Sequence, residues 1–191
     1  FVRSIPSGNH PGGIPPHLDE MCRALSYCGW SRIVIETVGT GQSEVKIVAF
    51  ADRVLLVDGP DRGDIIQAEK AGILELADVI AVNKADLPSA ESAAQSIKLS
   101  LGLVDGDHRN VNLVSALDGT GVEQLISEIE LCEPDEARKR LRMKERILSS
   151  WDSLLLNHPE IDSYISRLCD GSITLNEAIE PIAMTLMVED E

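Results

Sequence analysis

Val79-Ile80-Ala81-Val82-Asn83-Lys84-Ala85-Asp86 decides how this chain is read. Four apolar residues in a row, with no polar alternation, predict a strand buried on both faces, as in a parallel sheet covered by helices on either side. The polar loop that follows then falls at the carboxyl end of the strand, the edge where such sheets bind ligands. The same grammar recurs along the chain. Ile33-Val34-Ile35-Glu36, Arg53-Val54-Leu55-Leu56-Val57-Asp58 and Asn112-Leu113-Val114-Ser115 read as further strands, with helices predicted over about 17–29, 64–76, 89–101 and 120–130. In the last of these, Val122, Leu125, Ile126 and Ile129 recur at i, i+3, i+4 and i+7. Strand–helix alternation of this kind predicts an α/β fold with a doubly wound, mainly parallel sheet.

Composition narrows the function. The 191 residues are 43% hydrophobic and 26% charged, which suits a globular domain rather than a disordered chain. Aromatic residues are 3%, so the core must be aliphatic. A net charge of -15, from 17 basic against 32 acidic side chains, argues against nucleic acid as a partner. A local phosphate site made of backbone N–H groups stays open. Cys22, Cys28, Cys132 and Cys169 form no C-x-x-C pair and read as reduced, intracellular thiols. With no bilayer-length apolar run and no signal peptide at the start, the expectation is no membrane association and a cytoplasmic location, or the mitochondrial matrix in a eukaryote.

The character changes at Pro134, so the chain divides into an α/β part over 1–133 and a helical arm over 134–191. The run Arg138, Lys139, Arg140, Arg142, Lys144, Arg146 reads as a solvated helix face, with partner contact as the alternative. Two more helices are predicted over 160–169 and 175–187. Gly171 suits the end of the first, and Thr174 with Glu177 makes a capping box for the second. Pro181 should kink or break that last helix. An arm with so little core of its own, carrying Trp151, Leu154, Leu155, Ile161, Ile165 and Leu168, is expected to pair two subunits.

Asn83-Lys84-Ala85-Asp86 has the N-K-x-D form of a guanine loop. The Asp carboxylate accepts hydrogen bonds from the guanine N1–H and 2-amino group, which adenine does not offer; the Asn and the Lys stem buttress the loop and pack on the base. Ser115-Ala116 ends the next strand, as in an S-A-x loop whose backbone N–H reaches the guanine oxygen. Glu36, with Gly39 three residues on, fits the strand-end carboxylate and switch turn of a nucleoside triphosphatase. The acid would hold Mg²⁺ through water or orient the attacking water, and the Gly39 N–H would meet the γ-phosphate. His10, His17, Cys22 and Cys28 match no zinc-ligand spacing, and neither Ser43 nor Ser115 has the partners of a nucleophile.

The stretches Phe1-Val2-Arg3-Ser4-Ile5-Pro6-Ser7, Gly12-Gly13, E-T-V-G-x-G-Q-S-E at 36–44, G-D-x-x-Q-A-x-K-A-G at 63–72, A-D-x-x-x-x-N-K-A-D at 77–86 and S-A-L-x-G-x-G at 115–121 resemble the MeaB/ArgK-type GTPases. These are metallochaperones of methylmalonyl-CoA mutase once described as LAO/AO transport ATPases. The resemblance covers about 1–130 and continues more loosely through the tail; Thr40 and Asp61-Arg62 depart from the usual pattern. It implies a P-loop NTPase-type fold, GTP/GDP and Mg²⁺ as cofactors, and a homodimer that loads and protects methylmalonyl-CoA mutase or a related cobalamin-dependent acyl-CoA mutase. The residue roles it implies are Glu36 as the catalytic carboxylate and water-mediated Mg²⁺ ligand, Gly39 for the γ-phosphate, and Asn83, Lys84, Asp86, Ser115 and Ala116 for guanine. The family's G-x-x-G-x-G-K-[ST] cradle does not occur within residues 1–191. Its strand, central in the fold, is expected to be missing from between the strands at 33–36 and 79–83. The expected activity is therefore that of an inactive, N-terminally truncated GTPase, or alternatively of a non-hydrolysing interaction and dimerisation module.

Overall fold

The computed structural model describes residues 1–6, 15, 17–37, 50–60, 73–102, 107, 109–134 and 136–188. Its sheet has three parallel strands, β1 (Leu55–Asp58), β2 (Val79–Val82) and β3 (Val111–Leu113), with β2 in the middle. Leu55 stands opposite Val79 and Asp58 opposite Val82; on the other side Ile80 pairs with Val111 and Val82 with Leu113. All four β2 residues are buried, as the unbroken apolar run requires.

Two helices account for that burial. Ile80 and Val82 pack with Val54, Ala90, Ala94, Leu101 and Val111 under α2 (Ser89–Leu101). Val79 and Ala81 point the other way, into Val114 and Leu125 beneath α3 (Val122–Leu131). Small alanines at 90 and 94, one helical turn apart, let α2 lie close to the sheet. Each fully buried Val or Ile of β2 contributes about 1.5–3 kcal/mol relative to exposure.

α1 (Leu18–Tyr27) buries Leu18, and the arm consists of α4 (Glu136–Leu156), α5 (Ile161–Cys169) and α6 (Leu175–Val188). Gly171 closes α5 with φ +73°, its N–H donating to Leu168 O and that of Ser172 to Arg167 O, at 3.3 and 3.0 Å. The capping box is also formed. Thr174 N–H donates to Glu177 Oε2 at 2.8 Å, and Glu177 N–H returns to Thr174 Oγ1 at 3.4 Å.

Four expectations need correction. Residues 32–37 are not a strand, and Val34 is 90% exposed; strand propensity is realised only against a partner edge, and among the described residues none lies along this segment. The strand expected to be missing is not an immediate neighbour of β2, whose two edges are taken by β1 and β3; the outer edge of β1 is unpaired among the described residues. Of the kink or break expected at Pro181, the break does not occur, since α6 continues to Val188. The basic run is not simply solvated, because Arg142 is buried and pairs with Asp78. Of the helix predicted over 64–76, residues 73–76 are helical and the others lie outside the described residues.

Arg109 ties the end of that helical turn to the start of β3. Its Nη1 donates to Leu74 O and Ala77 O at 2.7 and 2.5 Å, while Nε and Nη2 grip the Asp107 carboxylate. The Arg109 guanidinium holds the Asp107 carboxyl below its ordinary 3.8. A depressed folded-state pKa contributes stability above the unfolded value and loses it as pH falls through the folded one. Asp107→Asn should therefore lower the urea midpoint at neutral pH, and the gap should close progressively below 3.8. A gap that stays constant into strong acid would contradict this.

Candidate functional site

β2 and β3 end side by side, and two further rungs continue their ladder into the loops. Val114 N–H donates to Val82 O and Ala85 N–H to Val114 O, both at 2.9 Å, while Asn83 N–H reaches Asp58 O at 2.8 Å. The 83–86 loop is thus fastened to both neighbouring strands by backbone alone.

Side chains then lock the two loops together. Asn83 Oδ1 accepts the N–H of Ala116 at 3.0 Å and of Lys84 at 2.8 Å. Ser115, fully buried, donates its hydroxyl to Asp86 Oδ1 at 3.0 Å. Lys84 is held with φ +62°, a left-handed conformation costing a non-glycine residue about 1–2 kcal/mol. The bonds from Lys84 N–H to Asn83 and from Leu87 N–H to Lys84 O, the latter 2.9 Å, hold it there.

The second loop is a closed turn. Gly119 N–H donates to Ser115 O and Ser115 N–H to Thr120 O, each at 2.9 Å. Asp118 Oδ1 takes the Thr120 N–H at 2.9 Å, and that amide holds the Asp118 carboxyl below its usual range. Gly121 begins α3 with φ +73°, and a Cβ there would lie 2.4 Å from Leu113 O. In the sequence Gly121 closes the 115–121 motif without a role assigned to it, and its position directly before a helical period is the signal for one.

Of the residues expected to act, Asn83, Lys84, Asp86, Ser115 and Ala116 come together in one cross-bonded unit at the carboxyl edge of the sheet. Asp86 is exposed there, and Ser115 occupies one acceptor position of its Oδ1, leaving the carboxylate able to accept two parallel N–H donors. The Ala116 N–H, read as the contact for the base oxygen, already donates to Asn83, so a base would share or displace that bond. Glu36 is exposed at the end of the irregular 32–37 segment, and Gly39 lies outside the described residues. Among the described residues no three His, Cys, Asp or Glu side chains gather as a metal cage.

A parallel α/β sheet bearing N-K-x-D and S-A loops at its carboxyl edge places the chain among P-loop NTPase-like proteins. More narrowly, it belongs to the MeaB family, since residues 1–150 match the sequence model described as Methylmalonyl Co-A mutase-associated GTPase MeaB. A Pyrococcus abyssi protein named "Putative GTPase" is 40% identical over 103 residues, which is 54% of this chain and 32% of that protein. GTPase ArgK of Escherichia coli is 35% identical over 86 residues, 45% of this chain and 26% of the relative. The methylmalonic aciduria type A homolog of Caenorhabditis elegans, a mitochondrial protein by name, is 34% identical over 86 residues, 45% of this chain and 22% of its own length. The chain spans well under half of the relatives it matches.

The two glycines of the turn make a matched test. Gly119 has φ +82° with open space around its Cβ position, whereas Gly121 adds the clash with Leu113 O. Gly119→Ala should cost about 1–2 kcal/mol from backbone strain alone. Gly121→Ala should cost more by about 1–3 kcal/mol, the usual range for overpacking. Equal urea midpoints for the two variants would contradict the steric account.

Proposed function

We propose that this chain carries the guanine-reading half and the dimerisation arm of a GTPase that loads cobalamin into, and protects, methylmalonyl-CoA mutase or a related cobalamin-dependent acyl-CoA mutase. The observation that carries the reading is the cross-bonding of the two loops, with Asn83 and Ser115 spent on holding Asp86 and Ala116 in place. A fixed carboxylate facing outward selects guanine over adenine because only guanine offers two adjacent N–H donors. Lys84 packs its stem on the base in this reading.

GTP and GDP are the proposed ligands. Glu36 would serve as the catalytic carboxylate and touch Mg²⁺ through water, and its exposure leaves it accessible for that role. Gly39 would meet the γ-phosphate. Phosphoryl transfer depends on positioning the transferring group by a phosphate cradle, and no G-x-x-G-x-G-K-[ST] occurs in residues 1–191. The 191 residues alone are therefore proposed to bind GTP weakly and not to hydrolyse it, which is where the second reading, a non-hydrolysing interaction module, finds its support. We propose the cytoplasm as the compartment, or the mitochondrial matrix in a eukaryote; no helix of the described residues is long and apolar enough to cross a membrane.

The homodimer is proposed to form through 134–191. α4 is turned inside out: Arg142 and Ser149 are buried, while Met143, Ile147, Trp151 and Leu154 are about half exposed. Apolar side chains at i, i+4, i+8 and i+11 on the outer face of a helix ask for a partner.

Two measurements test this. In a form that also carries the phosphate cradle, Asp86→Asn should weaken GTP binding by about 1–3 kcal/mol, the worth of one bidentate base contact, and shift preference toward xanthosine triphosphate. Equal affinity of the unaltered form for ATP and GTP would overturn the guanine assignment. Separately, Ile147→Glu with Leu154→Glu should convert a sedimenting dimer to monomer; an unaltered chain that is already monomeric at micromolar concentration would remove the dimer from the proposal.

A further inference from the structure

Asp78 belongs to the 77–86 motif, yet the base-reading loop has no use for it, since it lies at the opposite end of β2 from Asn83. Its side chain is completely buried. Oδ2 accepts two bonds, from Val54 N–H at 2.9 Å and from Arg142 Nη1 at 2.5 Å, while Oδ1 has no partner among the described residues. Arg142 comes from α4 of the arm and is itself only 4% exposed.

We propose that Asp78 and Arg142 are a positioning pair through which the arm sets the base-reading strand, so that the seating of α4 and the occupancy of the guanine loop are coupled. The coupling to ligand rests on the guanine reading of 83–86; the mechanical half does not. Both strands begin at this pair. Asp78 N–H and Val79 N–H donate to Val54 O at 2.8 and 3.1 Å, and Val54 N–H returns to Asp78. The carboxylate therefore fixes where β2 starts against β1.

From that point to the loop there are four residues, packed on both faces. A slip of one residue would exchange the faces of Ile80 and Val82 with those of Val79 and Ala81. It would also carry Asn83 away from Asp58 O and from the Ala116 N–H it holds. Two buried charges out of water cannot part cheaply, so α4 moves only with the start of β2. By linkage, a ligand that orders the loop also tightens the seating of α4.

Amide hydrogen exchange on the full 191-residue chain tests the pair without any nucleotide. Arg142→Gln should speed exchange at Ala85 and Ala116 by about tenfold more than at amides of α5, a local opening rather than a global one. Arg142→Lys, which keeps the charge and loses the guanidinium fork, should fall between the two. Ala178→Gly, at a buried position of α6, supplies the control for simple loss of stability: it should not single out Ala85 and Ala116. Should Arg142→Gln fail to fold, Arg142→Lys against the same control decides by the same two amides. Uniform acceleration at all amides, or none at Ala85 and Ala116, would overturn the positioning role. Titration of the unaltered chain and Arg142→Lys with fluorescent GDP at high concentration then separates the readings. No GDP binding by the unaltered chain, with the exchange pattern as expected, removes the guanine coupling and leaves the mechanical pair standing. GDP binding unchanged in Arg142→Lys, despite faster exchange at the loop, overturns the coupling itself.

Discussion

Burial of β2 on both faces is the constraint on which the described structure depends. Ile80 and Val82 can reach α2 only if Val79 and Ala81 reach α3. One register satisfies both, and that register sets the loops that leave β2 and β3. The hydrogen bonds from Asn83 to Asp58 and from Ala85 to Val114 follow from the ladder rather than from any special affinity of those residues. The functional side chains are laid on a frame already fixed by aliphatic packing, which is how a loop can hold Lys84 in a left-handed conformation without collapsing.

That frame was legible because its signals are local. Val79-Ile80-Ala81-Val82 announces two covered faces, the α3 period announces Leu125 as a covering residue though Ile126 of the same period is 47% exposed, and Thr174 with Glu177 announces a helix start. The meeting of the 83–86 and 115–116 loops was legible for a different reason: the proposed guanine reading needs particular residues at the ends of adjacent strands, and N-K-x-D followed by S-A places them there. What sequence did not reveal is decided between distant segments. Ile33-Val34-Ile35 has the propensity of a strand, but pairing depends on a neighbouring edge, and among the described residues none meets it. Arg142 sits in a basic run that looks solvated, and only the fold brings Asp78 to it across 64 residues.

The arm repeats that lesson in its charges. Arg146 reaches Asp19 of α1 at 2.6 Å, and its guanidinium also lies over the Phe50 ring, so one charge makes two contacts with the α/β part. Arg53, in turn, donates to Cys132 O where α3 ends. A helix that looked like an appendage in the sequence is joined to the sheet by polar contacts on its inner side, and it keeps its apolar side chains for the outside. The division at residue 134 therefore marks a change of composition more than a free hinge.

The distance in sequence between Asp78 and Arg142 also sets an order of events during synthesis. The chain emerges from the ribosome with β1 and β2 long before α4. At roughly 5–20 residues per second, the 64 residues between them take about 3–13 seconds to be made. Throughout that interval the carboxylate of Asp78 has no guanidinium to accompany it into the core, so it favours keeping the start of β2 in water. The 83–86 loop is thus translated well before α4, and under the proposed pairing the strand that leads to it is sealed only when the arm delivers Arg142.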